Sequence, residues 1–303
     1  MVSMKNNTNK IAIYGGLGNQ MFQYALHLFL KSNGIKSRIS LTYFLFPDDH
    51  NGFDLARAFN IQLSFKHRIL FFLMEYGNFL IINKYVNFIL RKTVPEIQKH
   101  NLAIYKEKEE FIMDKNILNV KSSYIVGSWQ SYLYFNNIRE IVLKEFTFTR
   151  PNDNNNRDTI NLIENTNSVS IHVRRGDYLS SQWNITHHVI KKMDYYYKAI
   201  QYINSHVTVP YFFIFSDDIS WTKEALNGIP NTKYISFNTT KKNYLDMYLM
   251  SICKHNIIAN STFSWWGAWL NQNTDKIVIS PNIWLNGVDC SELIPNEWKL
   301  IEV

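Results

Sequence analysis

A chain of 303 residues that is 46% hydrophobic and 15% aromatic can bury substantial cores, and its 11 glycines and 7 prolines are too few for a disordered or fibrous protein. The length suits two ordinary domains, and two distant cysteines, Cys253 and Cys290, exclude a disulfide framework or a structural zinc site and fit a reducing compartment. A net charge of +7 allows a nucleic acid, an anionic membrane surface or an anionic small molecule as partner, and nucleic acid is the weakest of these because no run of five basic residues occurs.

The first ten residues are polar and lack the apolar core of a signal peptide, so a cytoplasmic location is expected and the Asn-x-Ser/Thr triplets at Asn6, Asn184, Asn238 and Asn260 read as accidental. Ile11–Tyr14 is a short apolar strand that runs into Gly15-Gly16-Leu17-Gly18-Asn19-Gln20, followed by helical spacing of Met21, Ala25, Leu28 and Phe29. Such a strand, glycine turn and helix brings backbone N–H groups to a helix N-terminus, where anions are favoured; it also serves as a plain tight turn. Met21 stands where a dinucleotide fingerprint needs its third glycine, which argues against an NAD site.

Ile35–Leu41 reads as a second strand and Phe53–Phe59, with Ile61 and Leu63, as a helix packed on it. Ile69–Leu90 is the most apolar stretch, but Glu75, Asn78, Asn83 and Lys84 interrupt it, so it is expected to form a helical pair rather than to span a membrane. Phe71, Phe72 and Phe79 beside Lys66, His67, Arg68 and Lys84 would let that pair touch a membrane surface peripherally. Tyr124–Val126 is a strand closing at Gly127, and a helix through Leu143 follows it. Trp129 and Gln130 after the turn offer a plate and an amide for a sugar ring, with core packing the competing reading of Trp129.

The Asn- and Asp-rich run Pro151–Arg157 is the best linker, which divides the chain into domains 1–150 and 151–303. Beyond it strands 168–173, 211–215, 233–236, 256–259 and 276–280 alternate with helices 195–203, 221–226, 244–253 and 264–270. That alternation predicts a mostly parallel sheet covered on both faces.

Chemistry concentrates at the carboxyl ends of these strands, where open α/β sheets bind ligands. The first ends in His172-Val173-Arg174-Arg175-Gly176-Asp177-Tyr178. Two adjacent guanidiniums repel one another, and a diphosphate would relieve them; the plainer reading is a solvated turn in which Arg175 pairs with Asp177. Another strand ends in Ser216-Asp217-Asp218 and a third in Asn260-Ser261-Thr262-Phe263-Ser264, whose hydroxyls fit helix N-capping, phosphate binding or both. Guanine presents two donors that a carboxylate accepts, so Asp217, Asp218 and Asp246 are candidates for base recognition, Asp246 being equally suited to the dipole of the helix it opens. Trp265, Trp266 and Trp269 read as core. No Asp-x-Asp motif for a metal-held sugar nucleotide occurs, leaving the arginines to stabilise a departing diphosphate.

Gly15–Ala25, Gly127–Gln130, His172–Tyr178, Phe213–Trp221 and Ile258–Leu270, in this order, resemble the bacterial α-1,2-fucosyltransferases of glycosyltransferase family 11. The resemblance implies two Rossmann-type domains facing a cleft in a GT-B-like arrangement. It implies inverting, metal-independent transfer of L-fucose from GDP-fucose to the 2-hydroxyl of a galactose-terminated oligosaccharide. By the same resemblance Arg174 holds the β-phosphate with Arg175 beside it, His172 and Asp246 meet guanine, and Thr262 and Ser264 meet phosphate; Arg174 and Arg175 are expected as the catalytic pair, and Asp177, Asp217 and Ser261 as further residues of the donor site. Gly16, Gly18, Asn19, Gln20, Trp129 and Gln130 would face the acceptor. No base is identified, Asp177 and His188 being guesses, and no cofactor is expected. The competing readings are another GDP-sugar transferase and an inactive glycan-binding protein.

Overall fold

A computed structural model describes residues 8–45, 52–65, 67–69, 71, 103–175, 190 and 193–303. Two compact units divide the chain, Met1–Thr147 and Phe148–Val303.

In the first unit, β1 (Asn9–Ala12) leads through Gly15, in the left-handed region at φ 74°, into α1 (Leu17–Ser32). Then come β2 (Ser37–Ser40), a 3₁₀ turn at Thr42–Leu45, α2 (Leu55–Ala58), β3 (Ala103–Lys106), β4 (Ser123–Val126) and α3 (Arg139–Glu145). The four described strands are parallel in the order β2-β1-β4-β3, so β1 and β4 are the inner pair. The helix expected over 53–59 shortens to one turn, although Phe53, Phe59 and Ile61 are buried as its pattern required.

The second unit opens with α4 (Asn154–Glu164), which corrects the linker reading of Pro151–Arg157. Asp153 caps this helix by accepting from the Asn156 amide at 3.0 Å, and Ile160 and Ile163 anchor it in the core. Then follow β5 (Asn167–Val173), α5 (Asp194–His206), β6 (Pro210–Ser216), α6 (Ile219–Ala225), β7 (Thr232–Ile235) and α7 (Tyr244–Ile252). The chain continues with β8 (His255–Ile257), α8 (Thr262–Leu270), β9 (Val278–Pro281) and β10 (Lys299–Ile301). All six strands are parallel, in the order β7-β6-β5-β8-β9-β10. This is the 3-2-1-4-5-6 order of dinucleotide-binding folds, with its reversal between β5 and β8. The α/β class and the parallel sheet of each unit are as expected.

The run Tyr211–Phe215 shows why the sheet is covered on both sides. Phe212 and Ile214 pack with Val169, Ile171 and the α5 residues Tyr195, Tyr196 and Ile203, while Phe213 and Phe215 pack on the opposite face with Ile160, Ile163 and Leu249. On β5 the polar half of the alternation is buried too. Ser168 accepts from the Lys254 amide at 3.0 Å and Ser170 from the Asn256 side chain at 2.7 Å, so the strand is central rather than half-exposed. Most of the stretch expected as a helical pair, 69–90, lies outside the described residues. Among the described residues no helix is long and apolar enough to cross a membrane.

Candidate functional site

The reversal of strand order in the second unit brings the carboxyl end of β5 beside that of β8, and the arginine pair leaves the sheet there. Arg174 Nε lies 3.3 Å from Asp217 Oδ2, and Arg175 Nη1 lies 2.6 Å from Asp218 Oδ2. Asp217 also accepts from the Arg175 amide at 2.9 Å, and Asp218 caps α6 through the Trp221 amide at 3.2 Å. The Arg175 guanidinium lies 4.3 Å above the Trp221 ring. Both arginines are thus oriented by β6 and α6, and Arg175 pairs with Asp218. Asp177 and His188 lie outside the described residues. Asp217 and Asp218, two of the three carboxylates considered for base recognition, therefore face guanidiniums.

His172 points from β5 into the buried face. Burial, and then Arg174, push its imidazole down to about 3, so it is neutral at physiological pH. Its ring lies 5.8 Å from that of Phe263, and its Nδ1 is buried without a hydrogen-bond partner. An orphaned ring nitrogen at the strand-order reversal marks a place where a ligand can complete the hydrogen bonding.

Asp246 stands in the first turn of α7. Its carboxyl is pushed up to about 7 by burial, against the opposing effect of the Asn238 side chain, which donates to Oδ1 at 2.9 Å. Asn238 is held in turn by a reciprocal amide pair with buried Asn156, at 2.9 and 3.1 Å, and Asn156 is the residue whose backbone Asp153 caps. A polar chain therefore runs from the start of α4 to Asp246. Asn238 and Asn260 are buried, which removes two of the Asn-x-Ser/Thr triplets from any surface role.

At the β8 edge, Ser261 occupies the N-cap position of α8 but its side chain makes no capping bond, so capping does not account for its hydroxyl. Ser264 is buried and donates back to the carbonyls of Ala259 at 3.4 Å or Ser261 at 3.3 Å. Thr262 begins the helix. Trp265, Trp266 and Trp269 are core, as expected.

In the first unit the residues expected to face an acceptor divide. Gln20 is fully buried and its amide is saturated: it donates to the carbonyls of Gly15 and Gly52 at 2.7 and 2.8 Å and accepts from the amides of Asp54 and Leu55 at 2.9 and 3.2 Å. It ties the glycine turn to the segment before α2. Trp129 is fully buried as well, at φ 57°, with its ring 6.0 Å from that of Tyr134; core packing is the reading that holds, and no face is open to a sugar. Gln130 donates to Asn19 at 3.2 Å beside Gly16, the N-cap of α1, and Gly18 lies in its first turn.

The sequence reading missed Glu107, which follows β3. Its oxygens accept from the amides of Ser128 at 2.6 Å and Trp129 at 2.9 Å, and burial pushes its carboxyl up to about 7 in spite of those bonds. Gly127 is required beside it, because a Cβ there would stand 2.5 Å from Glu107 Cβ. Tyr14, after β1, is pushed up to about 12 by burial and by Glu107. Recognising β3 would have been the signal for Glu107.

Residues 1–298 match the model of Glycosyl transferase family 11. The chain belongs to glycosyltransferase family 11. The transferase is 35% identical to the O-antigen biosynthesis glycosyltransferase WbnK of Escherichia coli, over 94% of this chain and 97% of that one. It is also 35% identical to an alpha-1,2-colitosyltransferase of Escherichia coli, over 95% and 97%. The galactoside alpha-(1,2)-fucosyltransferase 2 of Bos taurus is 25% identical over 84% of this chain and 67% of its own. Among solved structures, the fucosyltransferase NodZ from Bradyrhizobium aligns with a TM-score of 0.47 at 14% identity, over 86% of this chain and 92% of that one.

Proposed function

We propose that this family 11 transferase moves L-fucose from GDP-fucose to the 2-hydroxyl of a terminal galactoside, with inversion and without a metal. The observation that carries the reading is the arginine pair fixed at the β5–β8 reversal of a dinucleotide-type sheet, with a neutral histidine and an isolated carboxylate nearby. In the proposed step the bond from fucose C1 to the β-phosphate oxygen breaks as the galactose 2-oxygen attacks C1 from the opposite face and loses its proton. Arg174 and Arg175 stabilise the charge left on the diphosphate. Their carboxylate and indole partners hold them oriented beforehand, which avoids reorganisation during the reaction. His172 and Asp246 receive the guanine, and Ser261 and Thr262 at the α8 N-terminus receive phosphate oxygens. The α(1,2) names among the relatives support the linkage.

A second donor sugar is favoured by the 35% identical colitosyltransferase. Colitose lacks the 3-hydroxyl of fucose, so one nucleotide site serves both donors. The deciding experiment measures GDP release from purified protein with lactose in EDTA, offering GDP-fucose, GDP-colitose, GDP-mannose and UDP-galactose in parallel, followed by linkage analysis of the product. Lactose-dependent release from GDP-fucose with an α-1,2 product supports the proposal. Preference for GDP-colitose replaces the sugar and keeps the site, and binding of glycan with no release from any donor overturns transfer.

A further inference from the structure

Four strand ends of the first unit lie side by side in the order β2, β1, β4, β3, and each is followed by one side chain able to meet a sugar. Tyr43 follows β2, Tyr14 follows β1, Ser128 follows β4 and Glu107 follows β3. They form a connected row. The Tyr43 and Tyr14 rings lie 4.9 Å apart at 39°, Glu107 lies close enough to help burial raise the Tyr14 hydroxyl, and the Ser128 amide donates to Glu107 at 2.6 Å. Ser128 Oγ also reaches Glu110 at 3.3 Å.

We propose that this row, Tyr43–Tyr14–Ser128–Glu107, is the saccharide site that takes the acceptor galactoside. A pyranose has an apolar C–H face and a rim of hydroxyl donors, and the row offers the complement of each. Tyr43 is 42% exposed, so its ring is open to a ligand, and with Tyr14 it makes a tilted aromatic platform. A carboxylate has about four lone-pair positions, and backbone N–H groups occupy two of those on Glu107, which leaves acceptors for sugar hydroxyls. The charged groups that act on Glu107 are Glu110 and Asp114. Negative neighbours repel a phosphate, so the site suits a neutral, hydroxyl-rich ligand and not the nucleotide. Placement agrees as well, since the row lies along the carboxyl edge of a parallel sheet, the edge at which open α/β sheets bind ligands.

The choice of a galactoside rests on the function proposed above, whereas the saccharide site does not. The test titrates lactose and methyl β-galactoside, without donor, into the full-length protein and its Tyr43→Ala and Glu107→Gln variants, with GDP affinity and melting temperature measured on the same samples. The expected result is that Tyr43→Ala weakens galactoside binding about five- to tenfold, the scale of one aromatic contact. Glu107→Gln should weaken it more, and both variants should hold GDP within about twofold of the wild type. Tyr43→Ala alters an exposed side chain and stays informative if Glu107→Gln loosens the loop it holds. Galactoside binding that is equal in wild type and both variants, or absent from the wild type, overturns the site. If the wild type turns over GDP-fucose with lactose while the acceptor KM is unmoved in both variants, the site falls and the function stands. If both variants lose galactoside binding while no donor is consumed by the wild type, the site stands and the transfer reaction falls.

Discussion

The proposed contact between Asp246 and guanine makes nucleotide affinity depend on pH in a calculable way. Its carboxyl titrates at about 7 in the unliganded fold because burial disfavours the charge. Only the ionised form accepts from both donors on the guanine edge. For a group titrating near 7, the ionised fraction rises from roughly one-tenth at pH 6 to roughly nine-tenths at pH 8, so GDP affinity should rise about tenfold over that interval. ADP carries the same diphosphate and serves as the reference, which makes the ratio of GDP to ADP affinity the quantity to measure, by calorimetry at pH 6, 7 and 8. His172, held down at about 3, stays neutral throughout and adds nothing to the slope. Asp246→Asn should flatten the ratio and lower it at pH 8. Stability should move the opposite way: a carboxyl raised in the fold binds its proton more tightly there than in the unfolded chain. Its contribution is therefore present at low pH and lost as pH rises from about 4 toward 7, and Asp246→Asn should melt higher than the wild type above pH 7. A GDP-to-ADP ratio that is flat with pH in the wild type, or unchanged in Asp246→Asn, refutes the assignment of Asp246 to the base.

Gln20→Ala should destabilise the fold by about 2–6 kcal/mol in urea titration, four buried hydrogen bonds being lost at roughly 0.5–1.5 kcal/mol each; a cost below about 1 kcal/mol with a raised acceptor KM would restore its acceptor role. Gly127→Ala should cost on the order of 1–3 kcal/mol in the same assay, because its Cβ would meet Glu107 Cβ at 2.5 Å; an unchanged midpoint would show that the β4 turn gives way easily. Arg174→Ala should reduce turnover about 10²–10³-fold while leaving the melting temperature near that of the wild type, since the arginine is partly exposed; a near-normal rate would remove it from the diphosphate.

Much of the second unit was legible because β6 is a nearly continuous apolar run and β5 a regular alternation. Tyr211–Phe215 announces a strand buried on both faces, and the Arg174–Arg175 pair follows from where Ser168–Val173 stops. The missed strands, Ala103–Lys106 and Lys299–Ile301, lie at sheet edges where Ile104 and Leu300 are exposed, so no burial pattern marks them. Glu107 went unseen with the first of these. Gln20 and Trp129 failed differently: residue type suggested a sugar contact, but direction is set by tertiary packing, which turned the amide onto four backbone groups and the indole into the core. The Asn-rich run 152–156 looked like a linker because asparagine disfavours helices, and the Asp153 cap with the Ile160 and Ile163 contacts outweighed that preference.

The amide chain from Asp153 to Asp246 also bears on how members of this family can exchange segments. Asn156 and Asn238 sit 82 positions apart yet complete one another's hydrogen bonding in the interior. A recombinant whose crossover falls between them takes Asn238 and Asp246 from one parent and Asn156 from the other. Such a hybrid can keep every residue of the arginine edge and still misplace Asp246. Crossovers before Asp153 or after Asp246 leave the amide chain whole, so the asparagine run and Asp246 travel as one piece.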